Sequence, residues 1–316
     1  MKTLYIDCIS GISGDMFIGA LLDAGADPAV LEEELKKLRF EDEYQLAWKK
    51  VIKNGITSTK FDVVLTQTDH LHEHDHHHHH EHDHDHAHEH NHDHNHQHEH
   101  EHNHDNNHQH GHDHEHHHDH QHTHDHHHNH EHNHEHEHDH HHHHHDHDHR
   151  SYSDIAKMIE TSELAPEVKD MSLKIFRKIG EAEGHIHGVP LEKVHFHEVG
   201  AVDSIIDIVG AAILIHQLGI KTIKSSPVPV GSGKIHIDHG IYPVPAPATL
   251  EILKGVPIEQ SDVRFELTTP TGAAIAAMLA EEFSTLPSIK VQSIGYGAGT
   301  KTFKDRPNVL RVIIGE

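Results

Sequence analysis

The chain has 316 residues and a formal net charge of −27, and most of that charge sits with 46 of its 53 histidines in residues 70–149. The remainder, roughly 236 residues with a net charge near −7, is long enough for one large domain or two small ones with a real core, and shows no basic excess that would suggest nucleic acid. The single cysteine, Cys8, excludes a disulfide framework and a cysteine-type zinc site, and the lack of an 18-residue apolar run or a leader-like start makes a cytoplasmic, non-membrane protein the expectation.

Thr3–Asp7 alternates as a strand and enters the loop Ser10-Gly-Ile-Ser-Gly-Asp15, which ends where an apolar helix, Met16 to Ala24, begins. Pro28 opens a second helix over Ala29–Leu38. Tyr44–Lys53 and Thr57–Leu65 flank Asn54-Gly55, a strong two-residue hairpin signal. The Gly/Ser loop has two readings. In one it is a glycine turn with Asp15 starting the helix. In the other, Ser10, Gly11, Ser13 and Gly14 cradle a phosphate at the helix N-terminus while Asp7 and Asp15 hold a cation beside it. Its spacing matches neither a Walker A loop nor a GxGxxG turn.

Residues 70–149 alternate His with Asp, Glu, Asn or Gln. With almost no apolar side chains to offset the entropy of ordering, the tract is expected to be disordered. It is either a solvated linker or a metal sponge, since neutral imidazole with carboxylate suits Ni²⁺, Zn²⁺ and Cu²⁺. Loading of such a sponge should fail below about pH 6.5, where imidazole takes up a proton. The tract divides the chain into residues 1–69, 70–149 and 150–316. Strands alternating with helices on both sides predict a mixed α/β fold, with α+β as the alternative, in two subdomains separated by the tract.

Beyond it, Ser153 is expected to cap a helix with Asp154 in its first turn. A second helix follows Pro166, with Val168, Met171, Ile175 and Ile179 as its core stripe, and Gly180 and Gly184 are expected to loosen the chain towards His185–His187. The densest set of ligand-type side chains comes next, in His195-Phe-His-Glu-Val-Gly-Ala-Val-Asp-Ser-Ile-Ile-Asp207. In extended geometry His195 and His197 point to the same side and can chelate one ion, with Glu198 or Asp203 completing the set; the same four are the candidates for catalysis. Alternatively Asp203 or Ser204 simply caps the buried helix Ile205–Leu218, in which His216 is expected to be a hydrogen-bonded core residue.

After a strand at Ile220–Lys224, a Pro/Gly-shaped loop carries His236, Asp238 and His239, either as ligands and substrate contacts or as an exposed turn. Pro245 opens a helix over Ala246–Lys254. Glu266-Leu-Thr-Thr-Pro-Thr-Gly272 then runs into a helix over Ala273–Phe283. Thr269, Thr271 and Gly272 there suit phosphate, and threonine capping explains them nearly as well. Gly295-Tyr-Gly-Ala-Gly299 reads as a flexible turn between strands Ile289–Ile294 and Val309–Ile314.

Six stretches together resemble one family: Asp7-Cys-Ile-Ser-Gly-Ile-Ser-Gly-Asp-Met16, His195-Phe-His-Glu-Val-Gly-Ala-Val-Asp-Ser204, Pro227-Val-Pro-Val-Gly-Ser-Gly233, His239-Gly-Ile-Tyr-Pro-Val-Pro-Ala-Pro-Ala248, Glu266-Leu-Thr-Thr-Pro-Thr-Gly272 and Gly295-Tyr-Gly-Ala-Gly299. They are similar to the LarC family of nickel-insertion proteins, and the His-rich insertion is typical of it. The resemblance implies insertion of Ni²⁺ into pyridinium-3,5-bisthiocarboxylic acid mononucleotide, forming a carbon–nickel bond flanked by two sulfurs. It also implies CTP with a divalent cation, Mn²⁺ or Mg²⁺, and delivery of the product to apo lactate racemase or a similar recipient. The family's full-length form continues into a CTP-associated C-terminal domain, so a separate C-terminal subunit is an expected partner, and a homo-oligomer is compatible. Two weaker alternatives from other classes are a nickel storage or chaperone protein and a metal-dependent hydrolase.

Overall fold

The computed structural model describes residues 1–66, 150–196, 201–237 and 240–316. The histidine tract, His197, Glu198, Asp238 and His239 lie outside the described residues. Before the tract the elements are β1 (Thr3–Asp7), α1 (Gly14–Asp23), α2 (Pro28–Leu35), β2 (Tyr44–Lys53) and β3 (Ile56–Leu65). After it come α3 (Tyr152–Thr161), α4 (Pro166–His187), α5 (Val202–Gln217), β4 (Thr222–Ser225), β5 (Val228–Pro229), β6 (Lys234–Ile237) and β7 (Gly240–Pro243). Then follow α6 (Pro247–Ile252), β8 (Ile258–Glu259), α7 (Pro270–Leu279), β9 (Glu282–Phe283), β10 (Val291–Ala298) and β11 (Val309–Gly315).

The fold is mixed α/β. Seven strands form one sheet in the order β2-β3-β10-β11-β1-β4-β9, parallel at β3/β10, β1/β4 and β4/β9 and antiparallel elsewhere. Two-stranded pairs β5/β8 and β6/β7 stand apart from it. On sequence grounds the tract separates two subdomains, residues 1–69 and 150–316. Among the described residues, strands from both flanks alternate in the same sheet, and the flanks belong to one unit. The tract therefore interrupts a fold rather than joining two. Its entry and exit are tied to one short turn: the Thr66 N–H donates to the Glu43 carbonyl at 3.0 Å, and Arg150 donates to the Glu43 carboxylate at 2.5 Å.

The hairpin forms as the sequence predicts, with Asn54 and Gly55 both at positive φ, 46° and 84°, as a type I′ turn requires. Several elements differ from expectation. The cap of α3 is Ser151, not Ser153: Ser151 and Asp154 make a reciprocal capping box, while the Ser153 hydroxyl donates to the Glu192 carbonyl. Helix α4 runs through Gly180 and Gly184, because the returning chain packs there and a Cβ would come within 2.5 Å of Leu191 or 2.8 Å of the Val189 carbonyl. Strand β10 likewise runs through Gly295 and Gly297. These glycines are not a flexible turn but the seat of α1, whose Ala20 and Met16 carbonyls lie 2.1 and 1.8 Å from where a Cβ would stand. Finally, α7 ends at Leu279, and Glu282–Phe283 pairs with β4 instead.

Helix α5 is the central element of the core. Eleven of its sixteen residues are buried, against α1, α2, α4 and α7. It starts at Val202, so neither Asp203 nor Ser204 is its N-cap; both lie in the first turn. His216 is exposed in the last turn rather than in the core.

Candidate functional site: a cleft at three helix N-termini

Two loops far apart in sequence build the site. The Ile12 N–H donates to the Leu267 carbonyl at 3.1 Å, and the Thr269 N–H donates back to the Ile12 carbonyl at 3.2 Å. This short ladder lays the Ser10–Asp15 loop beside Glu266–Gly272 and sets the N-termini of α1 and α7 side by side. Close packing enforces it: a Cβ at Gly11 would stand 1.8 Å from the Leu267 carbonyl and one at Gly272 2.0 Å from the Ile12 carbonyl. The N-terminus of α5 completes a cleft of about 390 Å³, lined by Ser13 and Asp15 on one side, Asp203, Ser204 and Asp207 on another, and Thr269 and Thr271 on a third. Lys60 and Asp62 of β3, with Glu266 and Thr300, close the lining.

Its electrostatics are of two kinds. Three helix N-termini present partial positive charge, which favours an anion. The side chains are acidic, apart from Lys60. The Lys60 ammonium is spent on Asp15 Oδ2 at 2.6 Å, Asp62 Oδ1 at 2.8 Å and the Phe61 carbonyl at 2.8 Å. Burial works against its charge, but Asp15 and Asp62 outweigh burial and hold the ammonium above its ordinary range. Asp15 has both oxygens engaged, one by Lys60 and the other by the Ser13 hydroxyl.

Asp207 is different. Its Oδ1 is buried in the cleft with no hydrogen-bond partner among the described residues, while the Asp15 N–H donates to its carboxylate. Burial first, then the charges of Asp15 and Asp203, push this carboxyl well above the usual carboxylate range. Gly14 makes room for it, since a Cβ there would lie 2.4 Å from Asp207 Oδ2.

The structure thus brings together Ser13, Gly14, Asp15, Asp203, Thr269 and Thr271. Thr269 caps α7, accepting from the Gly272 N–H at 3.2 Å, so its hydroxyl oxygen is committed to the helix. Other sequence candidates sit elsewhere. Asp7 is paired with Arg311, whose Nε lies 2.8 Å from its carboxylate. The Ser10 hydroxyl donates to the Pro307 carbonyl at 2.7 Å. His236 is exposed on β6, cross-strand from Ile241. His195 is exposed and bridges Ser151. It adds a minor part to the lowered pKa of Asp154, whose main causes are the hydrogen bonds from Ser151. Among the described residues no group of three or more His, Cys, Asp or Glu side chains is placed to hold a metal ion.

Sequence reasoning missed Lys60, Asp62, Asp207, Glu266 and Thr300 as cleft residues. Asp207 carried a signal: a carboxylate one turn from Asp203 in an otherwise apolar, buried helix needs a reason to be there. Lys60 carried none, because only the pairing of β3 into the sheet brings it to α1.

Fold and site together define a mixed α/β protein with a polar cleft in which helix N-termini, which favour an anion, stand beside carboxylates, which favour a cation. The comparisons with known proteins are narrower. The model of the nickel insertion protein family matches residues 4–316, and the chain belongs to that family. It is 45% identical over 316 residues to the pyridinium-3,5-bisthiocarboxylic acid mononucleotide nickel insertion protein of Geobacillus kaustophilus, covering 100% of this chain and 60% of the relative. The proteins of the same name from Clostridium kluyveri and Staphylococcus epidermidis are 42% and 41% identical, over 100% and 99% of this chain and 62% and 59% of theirs. The chain therefore spans about three fifths of the length of these curated relatives. No solved structure matches it. No helix among the described residues is long and apolar enough to cross a membrane.

Proposed function

We propose that this chain carries out nickel insertion into pyridinium-3,5-bisthiocarboxylic acid mononucleotide, with Ni²⁺ and the mononucleotide as substrates of the cleft. The observation that carries this reading is the meeting of the α1, α5 and α7 N-termini with Asp203 and Asp207 in one cavity. An acidic cleft repels a free mononucleotide, and the helix ends alone repel a free cation; a phosphate ester arriving with a divalent ion satisfies both. In this reading the N–H groups around Ser13, Gly14 and Thr271 take the phosphate. The histidine tract, with the exposed His195 beside its exit and His197 and Glu198 following, supplies the ion from the cytoplasm. CTP with Mn²⁺ or Mg²⁺ is the activating nucleotide that the resemblance implies, and apo lactate racemase or a similar enzyme is the recipient.

The test is to incubate the purified chain with the mononucleotide, Ni²⁺ and CTP, with and without a separately supplied C-terminal portion. Product is read from activation of apo lactate racemase. Activation in either arm is the expected result; none in either would sink the enzyme assignment. The histidine count of residues 70–149 favours one further reading, nickel storage without catalysis. It predicts that maturation at ample Ni²⁺ is lost with the tract but survives His195→Ala/His197→Ala.

A further inference from the structure

We propose that Asp207 is a catalytic residue of the cleft: its Oδ1 meets the bound mononucleotide and accepts the proton that the pyridinium ring carbon loses when nickel binds there. This rests on the nickel-insertion reading. The step balances without a further reactant. The C–H bond between the two thiocarboxylates breaks, its electron pair forms the carbon–nickel bond with Ni²⁺, and the proton passes to Asp207 Oδ1. No oxidant is consumed and the metal keeps its valence.

Geometry singles this residue out among the aspartates around the cavity. Asp15 is saturated by Ser13 and Lys60. Asp62 shares the Lys60 ammonium. Asp203 accepts its own following Ser204 N–H at 2.8 Å and is exposed. Asp207 alone of these four has an oxygen that is buried and without a hydrogen-bond partner among the described residues, and it lines the cleft. A buried polar atom without a hydrogen bond destabilises the fold, so its retention calls for a partner that arrives with the ligand.

The carboxyl is also held for the purpose. Its other side is fixed by the Asp15 N–H at the start of α1, and the absence of a side chain at Gly14 admits it. The charged groups facing it are Asp15 on α1, Asp203 on α5 itself and Lys60 on β3, with Asp62 and Glu266 also lining the cavity. Burial and the two aspartates raise its proton affinity, which Lys60 only partly offsets. A base of raised proton affinity is better suited to removing a ring proton than a solvated carboxylate would be.

Asp207→Asn keeps the shape and the hydrogen bond from Asp15 but cannot take a proton. With wild type active in the insertion assay, the variant is expected to lose about 100-fold or more in kcat with KM for the mononucleotide within about threefold, while keeping a single cooperative thermal transition. Wild-type kcat should rise with pH through one ionisation above the ordinary carboxylate range, and substrate deuterated at that carbon should react more slowly. A variant within about threefold of wild type in kcat, or one whose loss falls on KM alone, overturns the assignment. Should the variant fail to fold, the wild-type data decide: a flat pH profile or no isotope effect overturns it. An active wild type with an equally active variant refutes only the role of Asp207, whereas an inactive wild type in both arms of the insertion assay refutes the nickel-insertion reading and this step with it.

Discussion

At the scale of single residues, the cleft depends on one close approach. Gly14 and Asp207 touch where any larger residue at 14 would displace the carboxyl, so helix packing and the acid–base character of the cavity are set at one contact. The raised affinity of Asp207 for its proton has a stability consequence with a definite sign. Its folded-state pKa lies above the unfolded value of about 3.9. Stability from this group is therefore fully present below that pH and is lost as pH rises through the folded value. Asp207→Asn has no such titration. Denaturant unfolding of both proteins across pH 4 to 8 should show the variant gaining on wild type as pH rises; a constant difference would mean that Asp207 is ionised throughout. Lys60 is the one cation among the residues that line the cleft, and its ammonium meets both Asp15 and Asp62.

At the scale of elements, small residues decide where helices meet the sheet. Helix α1 lies across β10 at Gly295 and Gly297, with backbone against backbone. Gly297→Ala puts a methyl into the Met16 carbonyl and forces α1 off the sheet. The expected cost is about 3 kcal/mol or more, read as a lowered denaturation midpoint, and the Ser13–Asp15 end of the cleft should shift with the helix. Unchanged stability would show that α1 can slide. Read as sequence, Gly295–Gly299 has the composition of a loop, and the strand period is invisible because glycine carries no side chain to alternate. The same blindness applies to Gly180 and Gly184 in α4. Where side chains do report their surroundings, as in the Asn54-Gly55 hairpin and the apolar stripe of α4, the elements are legible from the residues alone.

For the whole molecule, the arrangement of the tract is the main consequence of topology. Its flanks converge on Glu43, with Arg150 also stacked over the Phe40 ring, so Thr66 and Arg150 are held at one turn. Replacing residues 67–149 by a short Gly/Ser linker is expected to move the thermal midpoint by no more than about 3 °C while removing most of the Ni²⁺-binding capacity. Calorimetry and equilibrium dialysis check the two halves, and a large loss of stability would mean that the tract packs on the fold.

The sequence by itself determined the α/β class, the hairpin, the histidine-rich composition of the tract and the family, because composition, side-chain period and ordered motifs are local properties. It also marked the Ser10–Asp15 and Glu266–Gly272 loops as candidate phosphate loops. Only the tertiary structure decided that these loops run side by side and that Asp7 is neutralised by Arg311 while Asp203 stays with the cleft. It alone showed that Lys60 and Asp207 complete the cavity. These are matters of long-range pairing: β3 against β10, β11 against β1 and α5 against α1 place side chains together that lie up to some three hundred residues apart in the chain, and no local pattern encodes which strand will be its neighbour.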